Sequence, residues 1–321
     1  MKISRGLTST TPSSYSVVTI GNFDGHHHGH RALLNRVVET ARREAGRAMV
    51  LTFEPHPVKI LAPHVNLQFL TSPEEKLTLF EAAGIDEVVF LEFTPAFAEL
   101  NPSQFARQVL CDGIGTRELF VGDHFAFGKG RAGRIADLLE SGSQLGFRVH
   151  PMSPVIIDGE VVSSTRIRQM IQEGDLQKAI RFLGRPYSID GTVVQGAQRG
   201  TQLGWPTANL RIPMGRVIPP DGVYAARTIW KDTCLNSVVY IGTRPTFGAG
   251  ERLMEVSILD ERLELYGESI RVQLIGFVRE DKTFGSAVEL TRQIKLDMES
   301  ARALLHEAAA HVPLSATLPG S

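Results

Sequence analysis

The sequence predicts an α/β domain built on a parallel sheet, followed by an antiparallel barrel or sandwich that a helix closes. Three observations predict it. Over about the first 184 residues, apolar runs alternate with capped amphipathic stretches, the pattern of βαβ units. From GRPYSIDGTVV (184–194) to about residue 279 the runs are short and β-rich, with Gly, Pro and Asp between them. Last, SAVELTRQIKLDMESARALLHEAAA (286–310) has helical spacing throughout.

Composition bounds the rest. The chain has 321 residues, 42% hydrophobic and 21% charged, an ordinary globular mix with room for two domains. A net charge of −1 gives no basic surface for nucleic acid. The two cysteines, Cys111 and Cys234, exclude a disulfide scaffold and a Cys-based zinc site, and suit a reducing compartment. MKISRGLTSTTPSSYS (1–16) lacks the apolar core of a signal peptide. No apolar run approaches the ~20 residues of a membrane helix. A soluble cytoplasmic protein is expected, partnered with neither nucleic acid nor membrane.

In chain order, Val17, Val18 and Ile20 form an apolar run that stops at Gly21. HRALLNRVVETARREAGR puts Leu33, Leu34, Val37, Val38 and Ala41 on one helical face, with Gly46 as the stop. AMVLTF (48–53) is a strand ending in EPHP. SPEEKLTLFEAAGI is a helix with a Ser cap and early acids. DEVVFLEF is a strand, NPSQFARQVLCDGI a capped helix, and TRELFVG a strand running into DHFAFGKGRAGR. After a further helix, FRVHPMSPVII is extended, and SSTRIRQMIQEGDLQKAIRFLG is helical from a Ser/Thr cap. The later strands are IDGTVVQG, VYAARTIW, SVVYIG, MEVSILD and SIRVQLIGFV, and residues 311–321 read as a disordered tail.

Ligands of parallel sheets bind beyond the strands' carboxyl ends, where GNFDGHHHGH, EPHP, DHFAFGKGR and SSTRIR all fall. Gly21 and Gly25 let the backbone approach a phosphate, and the following helix start offers N–H groups and a positive dipole end. His27 and His30, one turn apart, can reach the same phosphate, while Asp24 holds the loop or contacts a ribose. Four histidines in five residues (His26, His27, His28, His30) also spell a metal site, but the segment enters a helix and lacks an acid or cysteine cluster. Ser163, Ser164 and Thr165 cap a helix with Arg168 one turn later, by itself an ordinary cap with a surface arginine. GTVVQGAQRGTQLGWPTANL (191–210) is either a phosphate site or a hairpin connection. There Thr207 and Asn209 offer hard oxygens suited to Mg²⁺, and Arg199 adds charge. Glu255 is a candidate general base or a solvent-facing strand residue.

Gly-x-Phe-Asp-Gly-x-His-x-Gly-His (21–30), paired with Ser-Ser-Thr-x-Ile-Arg (163–168), resembles the nucleotidylyltransferase superfamily. With EPHP and VGDHFAFGKGRAG the resemblance narrows to the adenylyltransferase half of bacterial bifunctional FAD synthetases. LGWPTANL, GVYA (222–225), IGTRPTF (241–247), EVSILD and LYG resemble the riboflavin kinase half of the same proteins. Together the two resemblances span nearly the whole chain in the family's order.

The resemblance implies a Rossmann-like FMN adenylyltransferase domain over 1–184 and a β-barrel riboflavin kinase domain over 185–310. The substrates implied are ATP, riboflavin and FMN, the products FMN and FAD, and the cofactor Mg²⁺. His27, His30 and Arg168 would stabilise adenylyl transfer. Gly21, Phe23, Asp24, Gly29, Ser163, Ser164 and Thr165 would bind ATP, and Asp123 and Phe125 the flavin. In the kinase half, Gly196, Arg199, Gly200, Pro206, Thr207 and Asn209 would bind Mg-ATP, with Glu255 as base. Thr201, Ser257 and Glu261 stand where the family has Arg, His and Phe, which predicts a retained but weaker kinase. His26 and His28 depart from the family without explanation. The alternatives are an adenylyltransferase with a remnant kinase domain, and a flavin-binding regulator without turnover. A homo-oligomer is compatible with the sequence.

Overall fold

Val17 and Val18 are both fully buried, and they enter different cores. The same alternation separates Met49 and Leu51 from Val50, and Val89 from Val88. Strands buried on both faces read as continuous apolar runs, which is why these segments show no polar side. The computed structural model describes residues 1–7, 15–194, 205, 207–243, 252–261 and 263–311. By their packing they fall into two units, Met1–Leu67 with Pro73–Ser163, and Gln68–Ser72 with the chain from Ser164 onward.

The first unit is a six-stranded parallel sheet in the order β1-β4-β3-β2-β5-β6. Its strands are β1 (Lys2–Arg5), β2 (Ser16–Ile20), β3 (Arg47–Glu54), β4 (Glu87–Glu92), β5 (Thr116–Gly122) and β6 (Arg148–Met152). Its main helices are α1 (His28–Arg43), α2 (Pro57–Leu61), α3 (Pro73–Ala82), α4 (Pro95–Ala98), α5 (Pro102–Gln104) and α6 (Ile135–Leu145). A short hairpin, β7 (Ile156–Ile157) with β8 (Glu160–Val161), follows the sheet. Asn101 opens α5 with a capping box to Gln104, and the chain continues as a π-helix over Phe105–Gly113.

Two features of this unit differ from the sequence expectation. The polar N-terminus supplies the edge strand β1, paired with β4 from Lys2↔Glu87 to Arg5↔Phe90. Polar contacts hold it, which is why hydropathy misses it: Ser4 Oγ donates to buried Glu87 at 2.6 Å, and Lys2 Nζ lies 3.4 Å from the same carboxylate. Helix α1 stops through Ala45 in the left-handed region (φ 49°), not through Gly46. Gly46 is required for another reason, since a Cβ there would collide with the Tyr15 carbonyl oxygen.

Glu118, buried in β5, accepts hydrogen bonds from Tyr15 Oη and His150 Nε2, both at 2.5 Å, and pairs with Arg148 at 2.8 Å. Burial pushes its carboxyl up, but the two hydrogen bonds and the Arg148 charge outweigh that and hold it below the usual range.

The second unit is a closed antiparallel barrel, not a sandwich, in the order β10-β13-β12-β11-β14-β9. Its strands are β9 (Tyr187–Val194), β10 (Ala208–Arg211), β11 (Gly222–Trp230), β12 (Thr233–Thr243), β13 (Arg252–Ile258) and β14 (Ser269–Glu280). Strand β10 lies in the glycine-dense stretch that reads as a loop. It closes the barrel by pairing with both β9 and β13. The segment from Ser164 is two helices, α7 (Ser164–Glu173) and α8 (Leu176–Leu183), broken where Gly174 takes φ 85° and Asp175 caps α8. Both group with the barrel, so the packing boundary falls at Ser163/Ser164. The reason is visible at α8, where Gln177 Nε2 donates to the Ile275 carbonyl at 2.8 Å.

The closing helix α9 (Ala287–His311) lays Met298, Ala301 and Leu305 against Ala225 and Ile275 of the barrel's outer face. Arg279 of β14 ties it down through a bidentate pair with nearly buried Asp297, both contacts at 2.8 Å. The expected tail, beyond His311, lies outside the described residues.

Candidate functional site

The first site begins where β2 ends. Strand β2 pairs with β3 on one side and β5 on the other, so the order of connections reverses between β2 and β5. Ligands of parallel sheets enter the crevice at such a reversal. The loops leaving these two strands are GNFDGHHHGH and GDHFAFGKGR, so both candidate loops flank the reversal.

Local geometry fixes the first loop. Phe23 (φ 50°), Gly25 (φ 82°) and His26 (φ 43°) occupy the left-handed region and fold the chain back on itself. Phe23 is buried, edge-on to Phe80 at 5.4 Å and to His30 at 5.1 Å. His27 caps α1, its Nδ1 accepting the His30 backbone N–H at 3.3 Å. With Nδ1 accepting, the proton of the neutral ring sits on Nε2. The His27 and His30 rings stack, centroids 3.6 Å apart and 18° from parallel. A Cβ on Gly29 would lie 3.2 Å from the His27 ring, so the small residue leaves that ring its place. Gly21, Phe23, Asp24, His27, Gly29 and His30 are thus parts of one compact turn.

The two unexplained histidines acquire structural readings. His26 is buried, edge-on to Phe80 at 6.1 Å. His28 opens α1 and lies 3.0 Å from the Arg31 guanidinium. Among the described residues no group of three or more His, Cys, Asp or Glu side chains is placed to hold a metal ion.

Sequence reasoning missed Lys76 on α3. Burial pushes its ammonium pKa down, while the carboxylates of Asp24 and Glu54 pull it up. No spacing in SPEEKLTLF separates it from a surface lysine. Asp123 and Phe125 line a cleft of about 370 Å³ with His124, Arg131 and Arg134. Phe125 stacks on buried Phe127, centroids 5.8 Å apart. Arg131 and Arg134 were also missed, since a glycine-rich loop hides its cations among turn residues. In EPHP, His56 caps α2 by accepting the Val58 N–H at 3.2 Å. Ser163 ends the first unit, whereas Ser164, Thr165 and half-buried Arg168 lie on the opening turns of α7, in the second unit.

In the barrel, strand register does the placing. Asn209 is opposite Glu255, and Glu255 is opposite Tyr240, a row across β10, β13 and β12. Their neighbours Leu210, Met254, Val256, Val239 and Ile241 are buried in the barrel, so the row lies on the outer face. Half-buried Glu255 therefore sits beside the amide of Asn209, and Thr207 precedes that strand. Ser257 lies opposite Val238 on a strand paired along both edges, and Glu261 is exposed beyond the end of β13. Gly196, Arg199, Gly200, Thr201 and Pro206 lie outside the described residues.

Residues 9–166 match the family model described as FAD synthetase, and residues 183–305 the model described as riboflavin kinase. The bifunctional riboflavin kinase/FMN adenylyltransferase of Escherichia coli K12 is 38% identical over 306 residues, covering 94% of this chain and 97% of its own. The chain belongs to the bifunctional riboflavin kinase/FMN adenylyltransferase family. The family member from Pseudomonas fluorescens is 37% identical, covering 95% of this chain and 98% of its own. A crystal structure of a Streptococcus pneumoniae chain, named a macrolide-efflux protein, has the same fold. It superposes with a TM-score of 0.86 at 28% identity, covering 94% of this chain and 99% of that one. Among the described residues no helix is long and apolar enough to cross a membrane.

Proposed function

We propose that this chain phosphorylates riboflavin with ATP to give FMN and ADP, then joins FMN to AMP from a second ATP, giving FAD and pyrophosphate. The observation that carries the reading is the coexistence of two separate constructions in one chain. One is the capped His27/His30 turn at the sheet's reversal, and the other is the Asn209–Glu255 pair on the barrel.

In the first, the FMN phosphate oxygen attacks the α-phosphorus of ATP and the bond to pyrophosphate breaks. His27 and His30 donate to phosphate oxygens as charge moves onto the leaving group. Gly21, Phe23, Asp24 and Gly29 shape the turn, and Ser163, Ser164, Thr165 and Arg168 supply hydroxyls and charge for the triphosphate. Lys76, whose ammonium feels the charge of Asp24, adds a cation near the loop. Phe125 offers an aromatic surface to the flavin, with Asp123, Arg131 and Arg134 around the same cleft.

In the second, Glu255 takes the proton from the riboflavin 5′-hydroxyl as its oxygen attacks the γ-phosphorus and ADP leaves. The neutral oxygens of Thr207 and Asn209 fit the hard-ligand preference of Mg²⁺, and the ion carried with ATP would neutralise phosphate charge. Gly196, Arg199, Gly200 and Pro206 complete the nucleotide loop in this reading. Ser257 and Glu261 leave the strand's pairing intact, so the kinase is active, with turnover below that of relatives carrying His and Phe there.

Purified protein given riboflavin, ATP and Mg²⁺ should form FMN first and FAD after it, with ADP and pyrophosphate released in step. FAD formation from supplied FMN, with no FMN ever formed from riboflavin by a folded barrel, would reduce the chain to an adenylyltransferase.

A further inference from the structure

Arg227 of β11 is 8% exposed, and its guanidinium makes no hydrogen bond or ion pair among the described residues. It stands two residues after Ala225, which packs under α9, so it shares that outer face. There it lines a cavity of about 350 Å³ between β11, β14, α8 and α9. The other walls are largely apolar: Ile180 of α8, Ile275 of β14, and Leu304 and Ala308 of α9. Gln177 spends its amide N–H on the Ile275 carbonyl, which pins α8 to the barrel and fixes one wall. Glu307 also lines the cavity but is exposed to solvent.

A buried guanidinium without a counter-charge is costly, and an arginine's five donors are suited to a carboxylate or phosphate. A volume in this range holds a small organic molecule. Neither reaction proposed above uses any of these residues. We infer that this cavity is a binding site for a small amphipathic anion, its carboxylate or phosphate monoester on Arg227 and its apolar body against Ile180, Ile275, Leu304 and Ala308. The site is independent of the two proposed reactions, and its ligand class follows from one buried cation in the lining of a largely apolar chamber.

Calorimetric titration of the full chain tests it with three probes that share one apolar body: octanoate, n-octyl phosphate and 1-octanol. Both anions should bind with one-to-one stoichiometry, and 1-octanol should bind roughly ten-fold or more weakly, the loss expected when a charge-assisted hydrogen bond is absent. The tighter of the two anions identifies the head group. Arg227→Gln should lower both anions to the octanol level, and Ala308→Trp, which fills the chamber, should abolish all three. Unchanged FMN and FAD formation in these variants reports that they are folded. The head-group comparison in the unaltered chain stands without either variant. Equal binding of 1-octanol and octanoate would mean an apolar void alone. Absence of all binding would mean an arginine solvated through the cavity. Either result overturns the proposal, as does anion binding that Arg227→Gln leaves intact.

Discussion

The loop at residues 21–30 holds its side chains by local packing: His27 caps the helix, His30 stacks on it, and Phe23 wedges against both His30 and Phe80. Glu255, in contrast, takes its position from register, between Asn209 and Tyr240 on neighbouring strands. The difference sets what each site tolerates. Removing one ring from the loop removes a packing partner together with a hydrogen-bond donor that the proposed reaction uses. On the barrel, changing Ser257 or Glu261 leaves the hydrogen-bond ladder that positions Glu255 in place.

The most severe break of this contrast is Glu255→Gln. It keeps the strand and removes the carboxylate proposed as the base, so FMN formation should fall by roughly 10²–10⁴. FAD formation from supplied FMN should stay within about two-fold of the unaltered chain, an allowance for assay scatter and small sub-kcal effects. Next comes His30→Ala, which should lower FAD formation from FMN by roughly 10²–10³, the loss seen when one transition-state donor is removed. Steady-state rates with each substrate supplied separately check both.

Asp297→Ala sharpens the contrast on the side of stability. It leaves Arg279 without its bidentate partner between β14 and α9, at a cost of about 3 kcal/mol. Denaturant melts should show the barrel unit losing stability while the sheet unit keeps its own. Gly46→Ala does the reverse, destabilising the sheet unit by about 1–3 kcal/mol because its new methyl meets the Tyr15 carbonyl.

The smallest effect is the pH dependence from Glu118. Its folded pKa lies below the unfolded value, so its stabilisation is complete above the ordinary glutamate pKa of ~4.3 and is lost as pH falls toward the depressed one. Stability measured between neutral pH and the acid limb should therefore fall less steeply in Glu118→Gln, from a lower plateau. Equal acid slopes would show that Glu118 does not contribute.

What the sequence revealed follows the same division. The central parallel strands β2, β3 and β4 were legible because burial on both faces makes them nearly uninterrupted apolar runs. The His27/His30 turn was legible because its determinants lie within ten consecutive residues. Strand β1 was not, because a hydrogen bond from Ser4 and an ion pair from Lys2 to Glu87 hold it and an apolar face does not. Strand β10 was not, because its four residues follow a glycine-dense stretch and become a strand through pairing with partners distant in sequence. Lys76 carries no local signature, since only the fold brings its charge near that of Asp24, and Arg131 and Arg134 sit in the same loop as Phe125 but among turn residues that do not single them out.

That two separate constructions in one chain carry two separable reactions is tested most directly by a time course of His30→Ala with riboflavin, ATP and Mg²⁺. FMN should accumulate at the rate of the unaltered chain while FAD and pyrophosphate stay near background. Loss of FMN formation along with FAD, in a variant whose melt matches the unaltered chain, would contradict the account.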